Sequence, residues 1–307
     1  MPEQPLTLNA GTAKLRLDKF LLAHLPGYSR AQVQRLIREG FALVDGSPRK
    51  TGYRFKGGEV VTLRLPEPQA STIEPENIPL HILHEDACLA VIDKPAGMVV
   101  QPGPSHPGGT LVNALLWRYP ELAKMRDDPA TSQRLGIAHR LDRGTSGLLL
   151  VARDKPTLLE LMAQFQARAV EKKYLALLER RPSSNAGLID APIARDQRQR
   201  KRMAVQRGGK SAQTEFEVLD DHFQGERAFA RLKLLTGRTH QIRVHMAFIG
   251  CPVVGDAVYG YRKQRLKMKR LFLHAHELAF EHPDTGERLR FASELPVGLR
   301  NVLEKLR

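Results

Sequence analysis

Apolar and polar positions along the chain change period several times, and each change marks an element. Val33, Leu36 and Ile37 recur at i, i+3 and i+4, which predicts a helix. Ser29 suits its N-cap, Gly40 its C-cap, and Arg30, Arg35 and Arg38 fall largely on the faces the apolar stripe leaves free. Phe41 to Gly46 reads as a strand entering an Asp-Gly turn, and Val60 to Leu63 as a closing strand. Residues 1–12 show no clear period and read as a frayed end or an edge segment; regular structure starts near Leu15. Pro66, Pro68, Pro75 and Pro79 then make an extended linker. The expected organisation is therefore a small domain over 13–65, a Pro-rich linker over 66–79 and a large domain over 80–307.

Beyond the linker, strand patterns dominate. Ala90 to Pro95, Leu148 to Ala152, Lys173 to Leu178, Ala228 to Leu235 and Leu289 to Phe291 read as strands. Thr110 to Trp117 and Leu158 to Phe165 have helical spacing. Thr239 begins another helix, in which Ile242, Met246 and Ile249 repeat at i, i+4 and i+7. Gln101 to Gly109, with three prolines and three glycines, is a loop. Strands with inserted helices predict an α+β fold around a mixed, mainly antiparallel sheet.

Charge narrows the partners. The 307 residues carry a net charge of +15, which points to a polyanion. A membrane surface is the competing partner, but no apolar run approaches the ~20 residues of a spanning helix. The N-terminus lacks the basic start and apolar run of a signal peptide. Cys88 and Cys251 lie far apart and read as reduced thiols, so a cytoplasmic location is expected. Aromatic residues make up only 6%, so base-stacking platforms must be few and local. Arg195 to Arg202 and Arg262 to Arg270 are dense basic runs, each readable as a solvated loop or as a set of phosphate contacts.

The chemistry concentrates in His139-Arg140-Leu141-Asp142-Arg143-Gly144-Thr145-Ser146-Gly147, a polar loop running into the apolar strand Leu148 to Ala152. Asp142 stands between two arginines, which favour its charged form. An Asp in a Gly-rich turn also has a plain structural reading, in which it accepts nearby backbone N–H groups. Other chemistries lack their residues. The Gly208-Gly209-Lys210-Ser211 stretch has Ala204 where a P-loop needs its first glycine. No G-x-G-x-x-G or G-x-S-x-G follows a strand, and the His240/His245 and His274/His276 spacings match no zinc motif, so neither nucleotide cofactor nor metal is expected.

The loop string closely resembles the catalytic motif of the RluA-type pseudouridine synthases. Glu171 to Ala176 resembles that family's second motif, and Gly237 to Met246 its third, in the same order. Arg16 to Leu65 resembles the RNA-binding domain named after ribosomal small-subunit protein four. The resemblance implies a synthase fold with a cleft across the sheet, isomerisation of uridine to pseudouridine, and no cofactor. It implies Asp142 as the essential carboxylate, acting on the sugar as nucleophile or base, and Tyr174 against the uracil. It also implies a cation beside Asp142, assigned to Arg243 with Arg238 as the alternative. Arg140 would fill the space left by the flipped base, and His139 would shape the loop. With Arg143, Arg238, His240, Arg30, Arg35 and Arg38, these two make up the expected RNA-binding set. Ribosomal RNA or a pre-ribosomal large subunit is the expected partner of a monomer, with transfer RNA as the alternative substrate. A non-catalytic ribosome-assembly protein and a nucleoside glycosidase are the rivals. The first would not need Asp142, Tyr174 and Arg243 together, and the second usually presents paired carboxylates or a metal.

Overall fold

The computed structural model describes residues 5–11, 15–25, 28, 30–65, 73–103, 106–128, 131–132, 134–199, 202–261, 263–264, 266 and 268–307. Ser29, Arg200, Lys201, Arg262, Arg265, Lys267 and the first part of the Pro-rich linker lie outside the described residues. The chain forms two compact units, one of residues 1–72 with 124–135, the other of 73–123 with 136–307.

The smaller unit contains β1 (Leu6–Asn9), α1 (Leu17–His24), α2 (Arg30–Arg38), β2 (Ala42–Val44), β3 (Ser47–Pro48) and β4 (Val60–Leu63). Its strands form one antiparallel sheet in the order β1-β4-β2-β3, so the N-terminal segment is an edge strand. Val33, Leu36 and Ile37 are buried with Leu17, Phe20, Leu21, Val44, Val61 and Leu63. α2 stops because Gly40 takes φ +81°, which lets Phe41 N–H reach Leu36 O and Gly40 N–H reach Ile37 O. Asp45 and Gly46 both have positive φ and close the β2–β3 hairpin tightly. Asp18 is a wholly buried carboxylate on α1 that accepts from Arg16 Nε, Arg30 Nη2 and Gln34 Nε2, each at 3.0 Å.

The larger unit contains β5 (His81–Glu85), β6 (Leu89–Lys94), α3 (Leu111–Arg118), β7 (Ser146–Ala152), α4 (Lys155–Ala167), β8 (Glu171–Leu178) and β9 (Ala186–Asp190). There follow β10 (Ile193–Arg195), β11 (Met203–Val205), β12 (Gln213–Phe223), β13 (Arg227–Leu234), α5 (Gln241–Phe248), β14 (Leu273–Glu281), β15 (Arg288–Ala292) and α6 (Val297–Leu306). Its main sheet runs β5-β6-β7-β14-β8-β13-β12-β9, with β15 also on β14, while β10 and β11 form a separate hairpin. Every neighbouring pair is antiparallel except β7 and β14. The sheet is thus mixed and mainly antiparallel, as the pattern predicts.

The parallel junction positions the site. Register pairs Lys94 with Gly147, Gly147 with Ala275, and Ala275 with Tyr174, so these four form one row across β6, β7, β14 and β8. The two central members are small, and all four are buried. Gly147 has φ +111°, and a Cβ there would lie 2.2 Å from Ala275 O, so only glycine allows the strands to meet. The predicted helix at Thr239 starts two residues later. Gln241 Oε1 accepts from the Arg238 N–H and the Thr236 hydroxyl, which holds 236–240 in a capping turn with His240 at φ +57°.

Candidate active site

Asp142 lies in the loop that feeds β7. The loop is tied down on both sides. Arg143 exchanges two bonds with Gly97, N–H to O at 2.7 Å and Nε to O at 3.1 Å, and so fixes the Pro95–Met98 turn against it. His139 Nε2 accepts from Leu150 N–H at 2.9 Å, and its ring packs on Phe165. Burial and the nearby Lys172 push its pKa down to about 3, so the imidazole is neutral. The structure therefore turns His139 into the fold, where it fixes the loop, and leaves Arg140 exposed beside it.

Arg243 reaches Asp142 from α5. Its Nη1 donates to Asp142 Oδ2 at 3.0 Å, while Nε and Nη2 donate to Asp256 Oδ2 and Oδ1 at 2.8 and 2.9 Å. One guanidinium thus bridges two carboxylates. Burial disfavours its charge, but Asp256 and then Asp142 outweigh that and hold it firmly protonated. Asp256 is 0% exposed and Asp142 25%. Burial raises the Asp256 pKa, yet the bonds from Arg243 and from the Tyr259 and Val258 N–H groups bring it below the usual range. The Tyr259 ring lies 5.0 Å from the Arg243 guanidinium, and its hydroxyl accepts from Met203 N–H while contacting His240 Nδ1 at 2.9 Å. His240 Nε2 stands 3.8 Å from Asp142 Oδ1. Burial lowers the His240 pKa, and Asp142 partly opposes this. Arg238, the alternative cation, is turned away and donates Nε to Ser211 O.

Tyr174 is buried on β8, and its hydroxyl makes no hydrogen bond to any described residue. Burial and then the negative charge of Asp142 push its pKa up, so the phenol keeps its proton. Across the row, Lys94 is wholly buried and donates Nζ to Pro95 O at 2.8 Å and Met98 O at 3.0 Å. Burial and Arg270 lower its pKa to about 8, against the opposing charges of Asp142 and Asp93.

Asp256, Tyr259 and Lys94 were not among the residues the sequence singled out. The signals were thin. Val253-Val254-Gly255-Asp256 repeats the theme of an apolar run meeting a Gly-flanked acid, and Lys94 is a cation closing an apolar strand. In the smaller unit, Arg30 is bound to Asp18 and Arg35 to Glu39 at 2.8 Å, while Arg38 is exposed.

Among the described residues, two groups have the chemistry to hold a metal. Asp86, Cys88 and His282 bring one ligand atom each within 4.8 Å of one another. However, His282 Nδ1 accepts from the Asp284 and Thr285 N–H groups, so Nε2 carries the hydrogen and points it at Asp86 Oδ2, 3.2 Å away. Burial also pushes the Cys88 thiol up to about 12. The set is a hydrogen-bonded clamp between the β5–β6 turn and the end of β14, poorly suited to a cation. Asp220, Asp221 and His222 form the second group, and its carboxylates are already paired with Arg307 and Arg181.

A carboxylate, a shared arginine and a phenol at the ends of a mixed sheet define an acid–base or nucleophilic site that serves a basic protein. Known proteins share this arrangement of the chain. The RNA pseudouridylate synthase family model matches residues 89–248, and the S4 domain model matches 15–61. An uncharacterized RNA pseudouridine synthase of Chloroflexus aurantiacus is 48% identical over 291 residues, covering 95% of this chain and 90% of its own. The ribosomal large subunit pseudouridine synthase D of Xanthomonas campestris is 40% identical, covering 95% and 89%. The solved structure of human RNA pseudouridylate synthase domain containing 1 is 29% identical, with a TM-score of 0.58 over 72% of this chain and 85% of that one. The chain belongs to the RluA-type RNA pseudouridine synthases and carries an S4 domain ahead of its catalytic unit. It is an isomerase that converts uridine to pseudouridine in RNA.

Proposed function

We propose that Asp142 is the carboxylate that opens the reaction, and that the target uridine lies in large-subunit ribosomal RNA. The observation that carries the first part is the Arg243 bridge. Oδ2 of Asp142 is taken by Arg243, while Oδ1 accepts no hydrogen bond from a described residue and faces a partly open site. A charged carboxylate with one committed and one free oxygen is what attack on C1′, or proton removal from the sugar, requires. Arg243 fixes the position of Oδ2, and Asp256 fixes Arg243. Isomerisation then breaks C1′–N1, turns the uracil and joins C1′ to C5. The proton lost from C5 is matched by one gained at N1, so no donor or oxidant is consumed. Tyr174, protonated and without a hydrogen bond to a described residue, is suited to lie against the base and relay that proton, giving its own toward N1 as it takes the one from C5. The base must first leave its stack, at a cost of a few kcal/mol in a duplex and less in a loop. Arg140, exposed beside Asp142, fills the vacated space.

Ribosomal RNA is supported by the S4 domain and by the name of the Xanthomonas relative, a ribosomal large subunit synthase. Basic side chains of the S4 domain, Arg35 and Arg38 first, supply sequence-independent phosphate contacts. Pseudouridine mapping in cells lacking the gene tests the target. Loss of one or more sites in large-subunit RNA, restored by the wild-type gene and not by Asp142→Asn, is the expected result. Loss confined to transfer RNA would overturn the assignment.

A further inference from the structure

We propose that Arg270 binds a phosphate of the RNA beside the target uridine. The inference rests on the Asp142 reading above, because it places the phosphate relative to that site. Arg270 is half-buried just before β14, at the end of the basic stretch that begins near residue 262. Its guanidinium is held by neutral acceptors: Ser146 Oγ at 2.7 Å and Leu273 O at 3.3 Å take Nη2, and Leu271 O takes Nε at 3.2 Å. Ser146 in turn bonds His274 Nδ1 at 2.9 Å. Among the described residues no carboxylate pairs with Arg270, and Nη1 makes no hydrogen bond.

Its setting makes this unusual. Arg243, on α5, has two carboxylates, and Lys94 has Asp142 and Asp93 as opposing charges. Arg270 has neither among the described residues, and its own positive charge acts on the buried Lys94 and lowers that group's pKa. A partly desolvated cation without a counter-ion is costly unless a ligand supplies the anion. Burial alone pushes the Arg270 pKa down, which a bound anion would reverse. The position is also specific. Ser146, four residues after Asp142, opens the strand that this loop feeds, and a Cβ on Gly144 in the loop would lie 3.3 Å from Leu271 Cβ. The guanidinium is therefore braced against the loop that carries the reacting carboxylate. RNA brings one phosphate per nucleotide, and a fixed guanidinium with a free nitrogen matches a phosphodiester oxygen.

The test compares wild type, Arg270→Gln and Arg270→Lys on a large-subunit ribosomal RNA transcript, with binding and turnover measured across a series of KCl concentrations. Removing one phosphate contact should raise Kd and KM on the order of tenfold for Arg270→Gln and flatten log Kd against log[KCl] by about 0.7 to 0.9. Arg270→Lys keeps the charge and should recover the salt slope and most of the affinity. An unchanged slope in Arg270→Gln would overturn the proposal. So would an Arg270→Lys variant as impaired as Arg270→Gln, since the bonds to Ser146 would then be the whole role. The slope is a binding measurement, so it is read whether or not the transcript is turned over. Absence of turnover by wild type would count against the Asp142 reading alone.

Discussion

Asp256→Asn probes the part of the site that chemistry alone does not demand. Asp256 Oδ1 accepts from Arg243 Nη2, Val258 N–H and Tyr259 N–H, while Oδ2 accepts only from Arg243 Nε. An asparagine keeps the first oxygen and its three bonds. It places an amide N–H₂ where Oδ2 stood, donor against donor, 2.8 Å from Arg243 Nε. It also removes the negative charge from a position that is 0% exposed, next to a guanidinium 11% exposed. Removing one partner of a buried pair costs about 3–5 kcal/mol. Since three bonds survive and Asp142 still faces the cation, roughly 2–3 kcal/mol is expected here. The displaced guanidinium then no longer fixes Asp142 Oδ2, and a misplacement near 1 Å at a reacting group costs about 10²-fold. Urea unfolding and single-turnover rates on saturating RNA measure the two effects separately. RNA affinity should change less than threefold, because Asp256 is too buried to meet a phosphate. A variant with wild-type turnover would refute the positioning role of Asp256, and one with wild-type stability would refute the ion-pair argument.

Two further outcomes follow from the smaller unit. Burial raises the Asp18 pKa, but hydrogen bonds from Gln34, Arg16 and Arg30 outweigh it and hold the carboxyl at about 2, below its ordinary 3.8. A depressed carboxyl stabilises the fold fully above its unfolded pKa, and that contribution is lost as pH falls from about 4 through 2. The urea midpoint should therefore drop across that window in wild type and drop less steeply in Asp18→Asn. The exposed helix face is tested by Arg35→Gln with Arg38→Gln. Binding of long RNA should weaken and its salt slope fall by about 0.7 to 0.9 per lost contact, while kcat at saturating RNA stays unchanged.

Local signals carried much of the fold. The Val33, Leu36 and Ile37 stripe, with Gly40 behind it, marks α2 because spacing and cap chemistry are both written within one helix. The continuous apolar run of β7 is legible because that strand is buried on both faces throughout. β12 escaped notice, although at eleven residues it is the longest strand of the main sheet. Glu215 and Glu217 alternate with buried Thr214 and Phe216, but a bulge then breaks the period at Asp220 and Asp221, so the apolar alternation is short and interrupted by charge. The Asp142, Tyr174 and Arg243 set was visible through motif resemblance. Asp256 and Lys94 were not, for a physical reason. Asp256 meets Arg243 through a turn that closes after α5, and Lys94 meets the site through strand register with Gly147. Neither relation leaves a periodic trace in the chain. Arg238 and Arg243 show the same limit, since only the capping turn at Gln241 decides which of them faces Asp142.

The central claim is that Asp142 performs the chemistry on RNA. Tritium release from RNA labelled at uracil C5 measures it most directly, because C5 loses its hydrogen only once the carbon–carbon bond to C1′ is complete. Wild type should release tritium from large-subunit ribosomal RNA or from immature large subunits, with no cofactor added. Asp142→Asn keeps the side chain's shape and, beside phosphates, loses one repelling charge, so it should bind the same RNA at least as well. Its tritium release should fall below detection. Substantial release by Asp142→Asn would place the reacting carboxylate elsewhere and contradict the account.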